Sequence, residues 1–251
     1  RMAEERNIYV VEDCAQSIGA EYRGAITGTL GDMSVFSFQS HKNISTLGEG
    51  GVLAVADPEL ARHVAGLRHN GHRDFPRNDD RYWYPAMSDV AFDLPGEWPH
   101  NFCMGEIQAA LGTHLLSKVP EINDKRRARF QTAVAALAPF PELKFQHIPS
   151  DRLSSHHLLP FKYVGDSFDR TNHDFIRELA YGRGIQCATQ YYPLNRYSLF
   201  EESGNGDANV PATDAFFDNM VSLPFHSWMT DNDFSFMLEQ VADVAHKLRS
   251  S

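Results

Sequence analysis

The chain has 251 residues, enough to bury a sizeable core in one large domain or two smaller ones. Its 42% hydrophobic and 22% charged residues are ordinary for a globular protein, and a formal net charge of -10 argues against nucleic acid or an anionic membrane surface as the main partner. No apolar run approaches the roughly 18 residues of a membrane span, and the scattered Cys14, Cys103 and Cys187 form no disulfide framework, so a reducing cytoplasm is the expected compartment.

The opening residues, Arg1 to Arg6, read as the tail of a helix feeding a strand, as if the sequence started in mid-domain. The run NIYVVED predicts a buried strand with Glu12 and Asp13 at its carboxyl end. DMSVFSF predicts a second strand ending at Ser37 and Phe38, and GGVLAVAD a third, opened by the glycines of GEGG. Asp57-Pro58 supplies an N-cap with proline at the first helical position, and the helix runs to Gly71. Residues 72 to 100 are aromatic, acidic and proline-containing without a clear period, the mark of a long functional or disordered loop. MGEIQAALGTHLL and the stretch after Pro120 return to helix.

Between 118 and 140 the texture changes, dividing the chain into 1–118 and 119–251. LKFQHI, HHLLPFKYV, IQCATQYY and MVSLPF predict strands of a smaller α/β unit. TNHDFIRELAYGRG predicts a helix closed by glycine, and Thr230 caps an amphipathic terminal helix.

Three residues at successive strand ends could carry chemistry. Taken singly, Asp13 reads as a solvated acid or a helix cap, and Lys42 as a surface charge. Together with Ser37 they change meaning, because a strand-end carboxylate can hold a protonated ring nitrogen and a hydroxyl can donate to a phosphate. A partly desolvated lysine followed by the flexible LGEGG can serve as a Schiff-base amine. This set suits pyridoxal 5'-phosphate (PLP). His69 with His72, and the pair His156-His157, lack the cysteine or carboxylate neighbours of a metal site. GEGG lacks the full dinucleotide fingerprint, Cys14 lacks an activating histidine, and the face of Ile107, Leu111 and Leu115 reads as core.

VVEDCAQSIGAEYRG, then TGTLGDMSVFSFQSHKNISTLGEGGVLAV, then LRHNG, resembles the DegT/DnrJ family of sugar aminotransferases, which are PLP enzymes of the aspartate aminotransferase-like fold. The likeness continues through HNFCMGEIQAALGTHLL and KRRARF, and more weakly through YYPLNRYSLF and VSLPF. It implies an α/β fold of type I PLP-dependent transferases: a partial large domain over 1–118 with a mostly parallel sheet, and a smaller α/β domain over 119–251. It also implies roles. Asp13 would hold the pyridine nitrogen, Gln16 would lie near the ring, and Ser37 would bind the cofactor phosphate. Lys42 would form the internal Schiff base and then shuttle protons, and no metal is needed. Asn101 would reach the cofactor phosphate of a partner subunit, implying a homodimer with shared sites. Gln190, Tyr191 and Tyr192 would contact substrate.

The expected partners are a keto sugar, nucleotide-linked, and an amino-acid donor such as glutamate. A keto-cyclitol substrate, the family's deoxysugar dehydratase branch and a non-catalytic binding or regulatory module are the alternatives. In the dehydratase branch a histidine replaces the lysine, so Lys42 favours transamination. Family chains are longer at the N-terminus, where they add a helix start for the phosphate and an aromatic group for the ring. The segment 72–98 is longer than the family leads one to expect, with Tyr82, Trp83, Tyr84 and Trp98 read as lid packing.

Overall fold

Two short apolar runs ending in polar residues become neighbouring parallel strands, β1 (Val11–Asp13) and β4 (Met33–Ser37), with Val11 opposite Met33 and Asp13 opposite Val35. The computed structural model describes residues 1–72 and 94–250, so Tyr82, Trp83 and Tyr84 lie outside the described residues. These residues form two units, Arg1–Pro120 with Asp151–Leu153, and Glu121–Ser150 with Ser154–Ser251.

In the first unit, β5 (Gly51–Val55) runs antiparallel to β4 with Gly51 opposite Ser37, giving the order β1-β4-β5. The sheet therefore has one parallel and one antiparallel pairing, where the sequence suggested a mostly parallel sheet. The connection explains it. A parallel return needs a crossover, usually helical. Here the loop folds back directly, with the Phe38 N–H donating to the Gly50 carbonyl at 2.8 Å and the Ser40 N–H to the Gly48 carbonyl at 2.7 Å.

The predicted first strand is shorter than its apolar run and is not buried. Ile8, Tyr9, Val10 and Val11 are all exposed, and no described element covers them. Asp32 fastens the run instead: its carboxylate accepts the Val10 N–H at 2.7 Å, and its own N–H donates to the Val10 carbonyl at 2.9 Å.

A hairpin that the sequence did not announce joins β2 (Glu21–Tyr22) to β3 (Ala25–Ile26). Its turn residues Arg23 and Gly24 have φ of 52° and 80°, the positive pair that matches strand twist in a two-residue turn. The strand β7 (Arg152–Leu153) adds to the other edge of β2. The helix α1 (Pro58–Arg68) starts as expected, with the Asp57 carboxylate accepting the Glu59 N–H at 2.8 Å. In α2 (Glu106–Leu116), Ile107 is 74% exposed, so the expected apolar face is core only in part.

The second unit has a continuous core. The helix α3 (Val119–Leu137) turns Phe130, Ala133 and Leu137 into it. They meet the antiparallel sheet β6 (Leu143–Phe145), β8 (Leu159–Tyr163) and β9 (Met220–Leu223), ordered β6-β8-β9. Alternation puts Leu159, Phe161 and Tyr163 inside, each at most 2% exposed. Burial of each such side chain contributes on the order of 1.5–3 kcal/mol. The helix α4 (Asn172–Arg177) begins with a Thr171–Asp174 capping box, and α7 (Asp231–Ser250) with the reciprocal Thr230–Asp233 pair.

The predicted strand over IQCATQYY is only an isolated bridge, Ala188 to Ser222. Pro193, which has no N–H to offer a ladder, follows directly.

Two buried arginines tie loops to this core. Arg126 donates to the carbonyls of His156 (2.8 Å), His157 (2.6 Å) and Phe225 (3.1 Å). Arg129 donates to the Met229 carbonyl at 2.5 Å and to the Asp231 carboxylate at 2.8 Å.

Candidate functional site

Adjacent residues of β1 point to opposite faces, so Glu12 and Asp13 cannot do the same work. Glu12 turns toward the loop before β4. Its carboxylate accepts N–H groups from Gly28 (2.9 Å), Leu30 (2.6 Å) and Gly31 (2.8 Å). Burial pushes its carboxyl up, but the three N–H groups together outweigh burial and hold it below the usual carboxylate range. The loop can approach because Gly28 has φ 93°, and a Cβ there would run into the Phe36 ring.

Asp13 stands at the exposed carboxyl end of β1, where its Oδ1 accepts the Ala15 N–H at 3.0 Å. Ser37 ends the neighbouring strand two residues beyond the partner of Asp13, roughly 6–7 Å along the strand direction. Its Oγ accepts the Gln39 N–H at 3.3 Å and, among the described residues, donates no hydrogen bond of its own. The acid and the hydroxyl thus share the carboxyl edge of one parallel pair, the edge at which open α/β sheets bind ligands. Gln16 is exposed just beyond Asp13.

Lys42 belongs to the loop leaving Ser37, and that loop is tightly anchored. Phe38, Ile44 and Thr46 are at most 3% exposed. The Thr46 N–H donates to the Phe38 carbonyl at 3.0 Å, and its Oγ1 donates to the Glu49 carbonyl at 3.1 Å. Gly50 permits this closure, since a Cβ there would collide with Thr46 Oγ1. The Lys42 N–H closes a turn onto the Gln39 carbonyl at 2.9 Å. Among the described residues the half-buried Lys42 side chain makes no ion pair or hydrogen bond, so its amine is uncommitted on a fixed backbone.

Asn101 also lies in the first unit, exposed and held by a bridge to His69. Flanking bonds from the Asn70 N–H to the His100 carbonyl (2.8 Å) and from the Phe102 N–H to the Arg68 carbonyl (2.8 Å) fix its backbone. Gln190, Tyr191 and Tyr192 belong to the second unit. Tyr191 is 61% exposed, while Tyr192 sets its ring edge-on to Tyr197 and Phe217 at 4.8 and 5.3 Å.

Sequence reasoning placed Glu12 at the strand end but missed its anchoring role. The signal was present in the alternation itself, which sends one of two consecutive acids inward. No group of three or more His, Cys, Asp or Glu residues suited to a metal occurs among the described residues. No described helix is long and apolar enough to cross a membrane.

Residues 1–243 match the DegT/DnrJ/EryC1/StrS aminotransferase family. The spore coat polysaccharide biosynthesis protein SpsC of Bacillus subtilis is 27% identical over 247 residues, covering 97% of this chain and 61% of SpsC. The sugar aminotransferase CalS13 from Micromonospora echinospora superposes with a TM-score of 0.77 at 28% identity, covering 96% of this chain and 60% of CalS13. The PLP form of Spr1654 from Streptococcus pneumoniae superposes with a TM-score of 0.79 at 25% identity, covering 99% of this chain and 60% of that one. The chain spans about three fifths of the length of these relatives. With a family match over residues 1–243, the chain belongs to the DegT/DnrJ/EryC1/StrS aminotransferase family.

Proposed function

We propose that this protein is a PLP-dependent sugar aminotransferase that transfers an amino group from an amino acid, glutamate, to a nucleotide-linked keto sugar. The observation that supports the reading is an exposed carboxylate at Asp13 and a hydroxyl at Ser37 on the carboxyl edge of β1 and β4, followed by a loop that carries the uncommitted amine of Lys42. These groups match PLP in kind, with a carboxylate for a ring N–H, a donor for a phosphate and an amine for an aldehyde. When bound, PLP supplies an electron sink for the bonds around the amino carbon.

The residues of the chain then have separable tasks. Asp13 accepts the ring N–H and keeps that nitrogen protonated. The Ser37 hydroxyl donates to the phosphate, and Gln16 lies beside the ring. Lys42 Nζ is the amine that would hold the cofactor and, once freed by the incoming donor amine, would move a proton at the donor's amino carbon. Its anchored backbone limits where Nζ can reach, the positioning on which proton transfer depends. Asn101 reaches toward the cofactor phosphate of a partner subunit in a homodimer. Gln190, Tyr191 and Tyr192 would contact the sugar.

Purified protein mixed with PLP should give a yellow, borohydride-reducible adduct that peptide mass analysis places on Lys42. The Lys42→Ala variant should give none there. The same adduct in Lys42→Ala would overturn the assignment. Absence of any adduct in the parent would favour a non-catalytic module instead.

A further inference from the structure

On the second unit, Lys144 of β6 and Lys162 of β8 are direct partners in the antiparallel ladder. Cross-strand partners share a face with Cβ atoms roughly 4.5–5.5 Å apart, and like charges so placed repel. Neither side chain has a carboxylate or hydrogen-bond partner among the described residues. Lys162 Nζ instead lies 5.2 Å from the centre of the Phe216 ring, on α6 (Pro211–Phe217), and that ring is 40% exposed.

A lysine on an edge strand has an ordinary explanation, since it discourages pairing with another chain. That serves for Lys144 on β6. It does not serve for Lys162, because β8 is the central strand of β6-β8-β9. A groove of ≈ 470 Å³ runs between these residues, lined by both lysines, Gln146, Pro160 and Phe216. No acidic side chain lines it, although the whole chain carries a net charge of -10. Its size falls within the range of small-molecule sites, and its walls are apolar apart from the two cations and one amide.

We propose that this groove binds a small organic phosphate. The phosphate would sit between the two ammonium groups and relieve their repulsion, with Gln146 offering an amide donor. The ligand's planar body would pack on Pro160 and the exposed part of Phe216. The site is independent of the cofactor reading, since every lining residue belongs to the second unit.

The test uses the full chain without added PLP and phenyl phosphate as the probe, followed by amide NMR. The amides of Lys144, Phe145, Gln146, Phe161 and Lys162 should shift saturably. Lys144→Met with Lys162→Met should weaken binding at least about tenfold. Ser37→Ala should leave these shifts in place, which separates the groove from the cofactor site. Benzyl alcohol, with a similar ring and no charge, should shift them little. The proposal is overturned by unchanged affinity in the double variant, by equal binding of benzyl alcohol, or by the absence of shifts at these amides. If the double variant fails to fold, Lys144→Gln at the exposed position should weaken binding about threefold, and an unchanged affinity there overturns the proposal equally.

Discussion

Replacing Glu12 with alanine removes one carboxylate that holds three backbone N–H groups, those of Gly28, Leu30 and Gly31, at 2.6–2.9 Å. Each hydrogen bond to a charged group contributes roughly 1.5–3 kcal/mol net, so full loss of three would cost about 5–9 kcal/mol. Glu12 is half-buried, and water can re-solvate part of the freed loop. Screening therefore brings the expected cost down to about 2–3 kcal/mol. Hydrogen exchange reads this locally: protection at the three amides should fall about 30- to 150-fold, at 1.36 kcal/mol per decade.

Glutamine should not rescue the loop fully. It keeps one acceptor oxygen but turns an NH₂ group toward one of the donors. The pH dependence follows from the depressed carboxyl. Its contribution is complete above the ordinary value of 4.5 and is lost as pH falls through the lower folded value. If all three amides exchange in Glu12→Ala at the parent rate, the anchoring argument fails.

Two further predictions concern the second unit. Arg126→Ala leaves the carbonyls of His156, His157 and Phe225 without their donor, and should destabilise the unit by about 3–5 kcal/mol in urea unfolding. A loss under about 1 kcal/mol would show that water replaces the guanidinium. His156 stacks on Phe130 at 4.0 Å, and burial, then Arg127 and Arg126, lower its imidazole from 6.5 to about 4. The unfolded chain takes up this proton first, so stability should drop by up to about 3 kcal/mol as pH falls from about 6.5 to about 4. His156→Phe should flatten that part of the pH profile, and an unchanged profile would refute the assignment.

Much of the candidate site was legible in the order of the residues. Strand-end positions for Asp13 and Ser37 follow from short apolar runs that stop at polar residues. The glycines after Lys42 announce a tight loop. Caps at Asp57 and Thr230 are local chemistry, in which a side-chain oxygen meets a helix N–H a few residues on, and local rules suffice for them.

What the sequence could not supply was decided by contacts between distant residues. Only pairing showed that β5 returns antiparallel, because strand direction depends on how the Phe38–Gly50 connection closes. The β2–β3 hairpin needed β7, more than a hundred residues away, at its other edge. The run before Asp13 promised burial by its hydrophobicity, yet exposure depends on what packs against it. Lys42 shows the division most clearly. Its identity and spacing were fixed by the sequence, whereas its uncommitted amine on a loop pinned by Phe38, Ile44 and Thr46 is a tertiary fact. Composition and periodicity determine which elements form, and long-range closure determines which side chains are left free to act.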